Sequence, residues 1–198
     1  MSAARIAPAA EAEARRKARE YLQSNGTQAT IAAIRTRTGN AFQALERFLA
    51  SVEPARAARR AWPEEWSVHE VADHLVETHR ASLDELWCLL AGRRPPGDPV
   101  PAGLQSKAPL TRPWPWLLRE LASVHGEILT ALDAVRPDFA TDARAPLVMV
   151  ANVTAEDGTT MPLEWVEELD WKSYAIVLRL HAADHLSQAK KVAAALAG

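Results

Sequence analysis

Four stretches of the chain place apolar residues three and four positions apart, the spacing that gathers side chains on one face of an α-helix. The first covers about residues 28–52 and the second covers 67–91; the third begins after Thr111 and ends near Val135, and the fourth covers 172–197. Each is long enough to bury an apolar stripe against its neighbours. We therefore predict an all-α protein, a four-helix bundle.

Local signals mark the ends of these helices. Residues 67–70 read SVHE, a capping box in which the serine side chain accepts a backbone N–H bond and the glutamate reaches back. Thr27 is a candidate cap for the first helix, and Pro113 is tolerated in the first turn of the third. Gly92 and the proline-rich residues after it end the second helix. The long connections after the second and third helices permit crossover topologies.

An alanine-rich and charged segment precedes the first long helix. Residues 8–23 have high helix propensity, and the Asn25-Gly26 pair is expected to end that helix. Basic and acidic side chains alternate along it, which is typical of a solvated helix face. We therefore divide the chain into an N-terminal helical extension, residues 1–24, and the bundle, residues 25–198.

The segment between the third and fourth helices has a different pattern. β-Branched residues recur at Val148, Val150 and Val153, and an Asp-Gly pair follows at 157–158, where a hairpin would turn. The pattern predicts a short two-stranded β-hairpin before the last helix, as an excursion from an otherwise helical fold.

The composition narrows the classes of function. The chain carries 23 Lys and Arg against 25 Asp and Glu, a formal net charge of −2, which does not provide the basic face typical of nucleic-acid binding. A single cysteine, Cys88, excludes an intrachain disulfide and a cysteine-based zinc site. No stretch has the pattern of a secretory signal or a membrane span. We expect a cytoplasmic protein that binds neither nucleic acid nor membrane.

Near the C-terminus, residues 178–188 read LRLHAADHLSQ and place two histidines four positions apart. His181 and His185 therefore project together, on the side of the helix that carries its apolar residues. A buried histidine must satisfy both ring nitrogens, and two adjacent buried imidazoles must not both become charged. A shared metal ion meets both requirements. A purely structural pair of histidines is the alternative interpretation.

Other histidines lie on the second and third helices. On the second, periodicity puts His79 near the middle of the apolar arc, His74 at its edge, and His69 in the first turn, facing solvent. On the third, His125 lies in line with leucines and faces inward. A third inward histidine would complete the three protein ligands typical of catalytic zinc. Periodicity alone favours His79 as that ligand.

Three stretches together resemble the DinB/YfiT-like metalloenzyme family: WSVHEVADHLVETH at residues 66–79, VHGEILTALDAV at 124–135 and LHAADHLSQ at 180–188. The resemblance covers roughly residues 27–197 and depends on the order, spacing and helical context of these short motifs. It implies a bundle in up-down-down-up order, often a homodimer. It also implies a divalent ion, zinc or nickel, near one end of the bundle, and we expect zinc.

By the same resemblance, the metal ligands are His74, His181 and His185. Resemblance and periodicity thus name different histidines of the second helix. We expect His74 to be the ligand, because a position at the edge of the apolar arc can line a cleft. Further residues are expected behind the ligands or in the cleft, where they could orient a ligand ring or bond a metal-bound water: His125, His79, Gln188, Asp184 and Glu77.

Three neutral imidazoles leave zinc Lewis-acidic. A metal-bound water ionises near neutral pH in such sites, which supports hydrolysis, whereas a bound thiol becomes a thiolate, which supports transfer to an electrophile. The family resemblance implies a small-molecule substrate and a low-molecular-weight thiol. Both a metal-dependent hydrolase and a thiol transferase therefore stay open. The competing hypothesis is a non-catalytic helical dimer or small-molecule binding module with structural histidines.

Overall fold

The computed structural model describes residues 5–197. Within that range the chain is mostly helical, with a small two-stranded antiparallel sheet. Its elements, in chain order, are α1 Pro8–Leu22, a π-helix Gln23–Thr27, α2 Ile31–Ala50, α3 Pro54–Ala57, α4 Val68–Leu90, a 3₁₀-helix Pro109–Thr111, α5 Trp114–Asp133, β1 Ala145–Thr154, β2 Thr160–Leu169 and α6 Trp171–Ala195. Residues 1–4 of the predicted extension, and residue 198, lie outside the described residues.

The predicted capping box at the start of α4 is confirmed. The Ser67 hydroxyl accepts from Glu70 N at 3.2 Å, and the Glu70 carboxylate accepts from Ser67 N at 2.8 Å. Arg60 pairs with the same carboxylate, which ties the box to the segment before it. Helix α4 ends at Leu90, and Gly92 follows with a φ of +72°, a conformation that glycine adopts readily.

Three other helix starts differ by a few residues from the predicted positions. Thr30 rather than Thr27 caps α2, because its Oγ1 accepts from Ala33 N. Pro113 is the residue before α5 rather than part of its first turn. Asp170 caps α6 through bonds from the N–H groups of the second and third helical residues. Periodicity locates a helix but not its cap, because several polar side chains near an end can serve.

The N-terminal helix α1 ends at Leu22, within one residue of the predicted Gln23, but Asn25-Gly26 does not end the helical path, because the chain continues through both residues as the π-helix. Gly26 lies against α6, where an added Cβ would come within 2.7 Å of Ser173 Cα. Ser173 Oγ also donates to Leu22 O at 3.3 Å. Gly26 therefore permits close packing of two helices and does not act as a stop.

The predicted hairpin is present and is longer than expected. β1 and β2 pair antiparallel over ten residues each, from Ala145 opposite Leu169 to Thr154 opposite Thr160. Gly158 in the turn has a φ of +83°, which an Asp-Gly pair supplies without strain. The hairpin is therefore a substantial part of the fold and can form the wall of a cavity.

The N-terminal helix α1 covers one face of the hairpin. Arg15 lies 5.7 Å from the ring centroid of Trp165, and Arg19 pairs with Glu167 at 3.0 Å. At the other end, Leu22 is buried in the core. The extension thus packs onto the same chain, and the division at residue 24 does not correspond to a break in packing.

The four long helices build the core that positions the site. α2 packs against α5 and α6, and α4 packs against the same two helices. Each contributes fully buried apolar side chains, among them Leu45, Leu75, Leu117 and Ile176. Among the helices within residues 5–197, none combines the length and apolar character needed to cross a membrane.

Candidate metal centre

His181 and His185 lie one turn apart on the face of α6 that meets the core, as their spacing predicts. Their Nε2 atoms are 3.0 Å apart, and their ring planes are nearly perpendicular at 87°. Leu178 and Tyr174, one and two turns before His181 on the same face, are buried. Both imidazoles therefore direct Nε2 towards a common point.

His74 on α4 supplies a third imidazole at that point. Its Nε2 lies 3.0 Å from Nε2 of His181, and its ring centroid is 4.6 Å from that of His185. His79 lies on the other side of His181, with its Nε2 3.0 Å from His181 Nδ1. Of the two candidates on α4, His74 is thus the one grouped with the α6 pair. We call His74, His181 and His185 the histidine trio.

The geometry of the histidine trio suits one small metal ion. One nitrogen from each ring lies within 4.8 Å of the others. Nitrogens bound to zinc at about 2.0–2.1 Å in a tetrahedral arrangement are about 3.3 Å apart. The two separations of 3.0 Å at His181 are close to that value. These three histidines could therefore hold a metal ion.

The outer nitrogens of two trio members bond to fixed acceptors. His74 Nδ1 donates to the Leu104 carbonyl at 2.7 Å, and His185 Nδ1 donates to Gln188 Oε1 at 2.7 Å. Because a carbonyl oxygen only accepts, the ring hydrogen of His74 must lie on Nδ1. A neutral ring in this tautomer has a lone pair and no hydrogen on Nε2, the form that a metal ligand needs.

The connection between α4 and α5 holds the Leu104 carbonyl in place. Asp73, which is buried and precedes His74 on α4, accepts from both Ser106 N and Ser106 Oγ at 2.8 Å. Arg112 lies 3.1 Å from the same carboxylate. Asp73 therefore anchors the loop after α4, and the next residue, His74, donates to the Leu104 carbonyl of the same loop. The proline-rich connection forms part of the site.

The inner nitrogen of His181 begins a line of hydrogen bonds through the core. His181 Nδ1 is 3.0 Å from His79 Nε2, and His79 Nδ1 is 3.0 Å from His125 Nε2. His125 Nδ1 lies 2.5 Å from Glu46 Oε1. Both histidines in the middle of this line are buried, and we call His79 and His125 the inner pair. Every ring nitrogen of the inner pair thus has one bonding partner.

Burial keeps all five of these imidazoles neutral near pH 7. Desolvation lowers the pKa of His185 to about 4 and lowers the pKa of His74. Desolvation, followed by the neighbouring histidines, places the pKa values of His79 and His181 well below 6.5. Desolvation also lowers the pKa of His125, although a nearby carboxylate raises it. Neutral imidazoles are the form that binds metal.

The histidine trio adjoins a cavity of about 1100 Å³ between α6, β1 and the connection after α4, and both α6 histidines line it. Trp66 stands beside the trio at the cavity wall, with its ring centroid 4.9 Å from that of His74 and 6.3 Å from that of His185. The indole stacks on His185 with an interplanar angle of 16°. A small molecule in the cavity could therefore reach the point where the three nitrogens converge.

The remaining residues expected to assist the ligands are placed differently. Gln188 accepts a hydrogen bond from His185 Nδ1, so it contacts a ring of the trio and not the position of a metal-bound water. Asp184 is exposed at the cavity wall, and within the described chain it has no hydrogen bond to an imidazole. Glu77 pairs with Arg112 at 2.6 Å and so braces the loop. The expectation that Asp184 or Glu77 orients a ligand ring is corrected: the Leu104 carbonyl and Gln188 do so.

His69, expected to face solvent, is buried. Its ring lies 5.5 Å from that of Trp114, which is itself buried at the start of α5. The first turn of α4 is covered because α5 begins against it. Within the described residues, His69 shares no hydrogen bond with the trio or the inner pair, so it is a buried histidine outside the site.

Sequence reasoning missed three contributors to the site. Glu46 lies four residues after Phe42 on α2, so an acid within an apolar stripe was an available signal. Trp66 directly precedes the capping box, and a tryptophan at a helix end is a signal for a side chain that can line the mouth of a cavity. The carbonyl of Leu104 has no sequence signal, because every residue supplies a carbonyl.

No family model matches the chain, and neither a curated protein nor a solved structure does. The resemblance to the DinB/YfiT-like family accordingly depends on the three sequence motifs alone.

Proposed function

We propose that the chain binds one divalent metal ion, zinc in preference to nickel, through the Nε2 atoms of His74, His181 and His185. The observation that carries this proposal is the convergence of three ring nitrogens, two of which hold their ring hydrogens on the outer nitrogen. Lone pairs that face one another repel unless a hydrogen or a cation lies between them. Imidazole ligands suit both zinc and nickel, and zinc readily accepts a tetrahedral site.

The arrangement supports a catalytic rather than a structural ion. Structural zinc is typically closed by four protein ligands, whereas catalytic zinc has three and an open position. When bound, such an ion supplies Lewis acidity to a group that it coordinates. The chain contributes the rest: Leu104 and Gln188 hold two ligand rings in orientation, and Trp66 shields the trio on one side. We infer a metal-dependent enzyme that acts on a small molecule.

The charges of the cavity favour an uncharged or cationic substrate. Four carboxylates and one ammonium group line its walls: Glu65, Glu85, Glu164, Asp184 and Lys191. Lys191 already pairs with Glu65 at 2.8 Å, so its charge is offset within the wall. Apolar side chains of β1 and α6, such as Met149 and Val177, cover much of the remainder. Parts of an anionic ligand that lie away from the proposed metal ion would face these carboxylates, whereas the ion itself would attract them.

The size of the cavity is compatible with a reaction between two molecules. Its volume of about 1100 Å³ is close to the upper limit of the roughly 300–1,000 Å³ that pockets for one drug-sized ligand occupy. A transferase must hold a thiol and an acceptor together, whereas a hydrolase needs one substrate and water. We infer addition of a low-molecular-weight thiol to an electrophilic small molecule. A sulfur–carbon bond forms and the thiol proton moves to the acceptor, so no further reactant is needed.

The proposal extends to the fold family and the assembly. We infer that α2, α4, α5 and α6 form a DinB-like four-helix bundle in up-down-down-up order, and that the chain is a homodimer. The support is that α2 and α4 each pack against both α5 and α6, together with the three sequence motifs. Light scattering in solution tests the dimer: we expect twice the chain mass of 21.7 kDa, and a single-chain mass would reject it.

Elemental analysis of untagged protein, purified without added metal, tests the metal centre. We expect about one zinc or nickel ion per chain. His74→Ala should lose this ion, whereas His69→Ala, which removes a buried histidine outside the site, should retain it. Absence of metal from the unmodified protein, with no thermal shift on adding zinc or nickel, would reject the proposal in favour of a non-catalytic binding module.

A second measurement separates the reaction classes. Zinc-loaded protein is mixed with an uncharged thiol and an uncharged α,β-unsaturated carbonyl compound, and loss of the free thiol is followed. We expect zinc-dependent consumption that disappears in His181→Ala. Hydrolysis of an uncharged ester without any thiol requirement would instead assign the site to a hydrolase.

A further inference from the structure

The line of hydrogen bonds behind His181 takes one side chain from each of the four long helices. It runs from His181 on α6 to His79 on α4, then to His125 on α5, and ends at Glu46 on α2. The ends of this line are 135 positions apart in sequence, from 46 to 181. An unbroken series of this length gives a distant side chain a physical connection to one ligand of the proposed metal.

The carboxylate at the end determines the direction of every bond in the line. Glu46 can only accept, so the ring hydrogen of His125 lies on Nδ1 and its Nε2 is an acceptor. His79 must then donate through Nδ1, which leaves its Nε2 as an acceptor. His181 in turn donates through Nδ1 to His79. Its Nε2 therefore carries a lone pair and no hydrogen, as in the other two trio rings.

We propose that Glu46 is a positioning residue for the metal centre: acting through His125 and His79, it selects the tautomer in which His181 Nε2 is free to bind the ion. This inference deepens the proposed function and depends on it for the identity of the ligand that His181 receives. Glu46 touches neither the trio nor the cavity lining.

The packing around the line preserves its direction. Phe42 stacks on His125 with ring centroids 3.7 Å apart and an interplanar angle of 6°, and it also contacts His79 at 5.6 Å. Burial lowers the pKa of both inner rings, so each carries a single hydrogen to pass along the line. A buried neutral imidazole with two fixed partners cannot change tautomer unless every bond in the line reverses.

Loss of the acceptor at position 46 would favour that reversal. In the reversed line His181 carries its hydrogen on Nε2 and donates it to His74 or His185, which removes the repulsion among the three lone pairs. Without metal, the reversed line is then the more stable one. Zinc must restore the original direction before it binds, and this requirement weakens its binding.

Zinc affinity of the full chain, measured by competition with a chelator, tests the inference. Glu46→Leu removes the acceptor at a position that is 33% exposed and so tolerates an apolar side chain. We expect zinc to bind about 10- to 100-fold more weakly, the range seen when groups that orient ligands are removed. Glu46→Gln can accept through Oε1 or donate through Nε2 and so only partly sets the direction of the line; its zinc affinity should lie between those of the unmodified protein and Glu46→Leu. Glu127→Leu, an exposed acid on α5, is the matched control.

A long-range ¹H–¹⁵N spectrum of the metal-free protein near pH 8 supplies a readout that loss of packing alone would not change. We expect His181 to be protonated on Nδ1 in the unmodified protein and on Nε2 in Glu46→Leu. If the leucine variant does not fold, Glu46→Lys places a donor at the end of the line and should give the same reversal, with Glu127→Lys as its control.

Unchanged zinc affinity in Glu46→Leu, or the same His181 tautomer with and without the Glu46 carboxylate, would overturn the inference. The two proposals fail separately. If the unmodified protein binds no metal, the proposed function fails, while the tautomer of His181 still reports whether Glu46 sets the direction of the line.

Discussion

The histidine trio and the inner pair are built from the same residue type, lie within hydrogen-bonding distance of each other, and differ in how their nitrogens are used. In the inner pair, each nitrogen has one partner along a single line. In the trio, three Nε2 atoms face one another while the outer nitrogens bond elsewhere. His74 is as fully buried as the inner pair, so burial alone does not distinguish a proposed ligand from a structural histidine. The difference is whether each ring nitrogen has a partner that supplies or accepts a hydrogen.

The largest effect should follow replacement of His181, which belongs to the histidine trio and also bonds to the inner pair. His181→Ala removes a proposed ligand and also the end of the line behind it. Because zinc sites supply about 10–16 kcal/mol of apparent binding free energy over their ligands, we expect roughly a thousandfold weaker zinc binding by chelator competition. His69→Ala, which removes a buried histidine outside the site, should leave the affinity unchanged. Equal losses in the two variants would show that the fold, and not the ligand, is responsible.

Lowering the pH should destabilise the metal-free protein through both groups of histidines. Burial lowers the pKa of His185 to about 4 and the pKa values of His79 and His181 well below 6.5. Between about pH 4 and pH 6.5, the histidines bind protons in the unfolded chain but not in the folded chain. The free energy of unfolding is therefore highest above about pH 6.5 and falls as the pH is lowered towards 4. Thermal melts across this range should show the decline.

The matched variant for the pH prediction is His79→Phe, which removes one titrating ring and approximately conserves its volume. Its melting temperature should fall less steeply between pH 6.5 and 4 than that of the unmodified metal-free protein. A melting temperature of the unmodified protein that does not change over this range would contradict the assignment of neutral, buried rings.

A smaller effect should follow loss of the loop anchor behind His74. Asp73→Ala removes the acceptor that holds Ser106 and thereby the Leu104 carbonyl. Because His74 would lose its fixed partner but keep its place on α4, we expect about tenfold weaker zinc binding. Asp84→Ala, an exposed acid on the same helix, is the control. Isothermal titration with zinc can compare the two, and equal affinities would show that the loop does not orient the ring.

The smallest effect is expected at Asp184, which lies between the proposed ligands His181 and His185 in sequence. Its side chain is exposed and does not hold an imidazole, so Asp184→Asn should bind zinc within about twofold of the unmodified protein. Gln188→Ala removes the partner of His185 Nδ1 and should weaken binding more, by several-fold. The reverse order of the two variants would show that Asp184 orients a ligand in solution.

How much could be predicted from the sequence depends on the range of the interaction. The capping box at Ser67 and the shared face of His181 and His185 involve residues three or four positions apart, and both are as predicted. Periodicity also placed His125 correctly in the interior. It favoured His79 over His74 as the partner of the α6 pair, whereas the structure groups His74 with that pair; both are fully buried on α4, and only their neighbours on other helices distinguish them.

The errors have the same origin. His69 is buried by Trp114, 45 positions away, and Gly26 permits contact with Ser173, which is still more distant. Local signals suggested that His69 faces solvent and that Gly26 ends a helix. The residues that contact them lie far away in sequence, so a pattern of a few neighbouring residues does not include them. Glu46 could have been noticed as an acid in an apolar stripe, although its partner on α5 could not have been named.

By itself, the sequence determined the long helices, the hairpin and the pairing of two histidines on α6, because spacing along the chain sets which side chains share a face. Only the tertiary structure decided that His74 joins them, that a loop carbonyl fixes its tautomer and that Glu46 lies at the far end of the line behind His181. These contacts depend on how each helix is rotated about its axis and packed against the others. The local pattern of apolar residues shows which face of a helix is buried, but it does not determine that rotation closely enough to say which side chains meet across two helices.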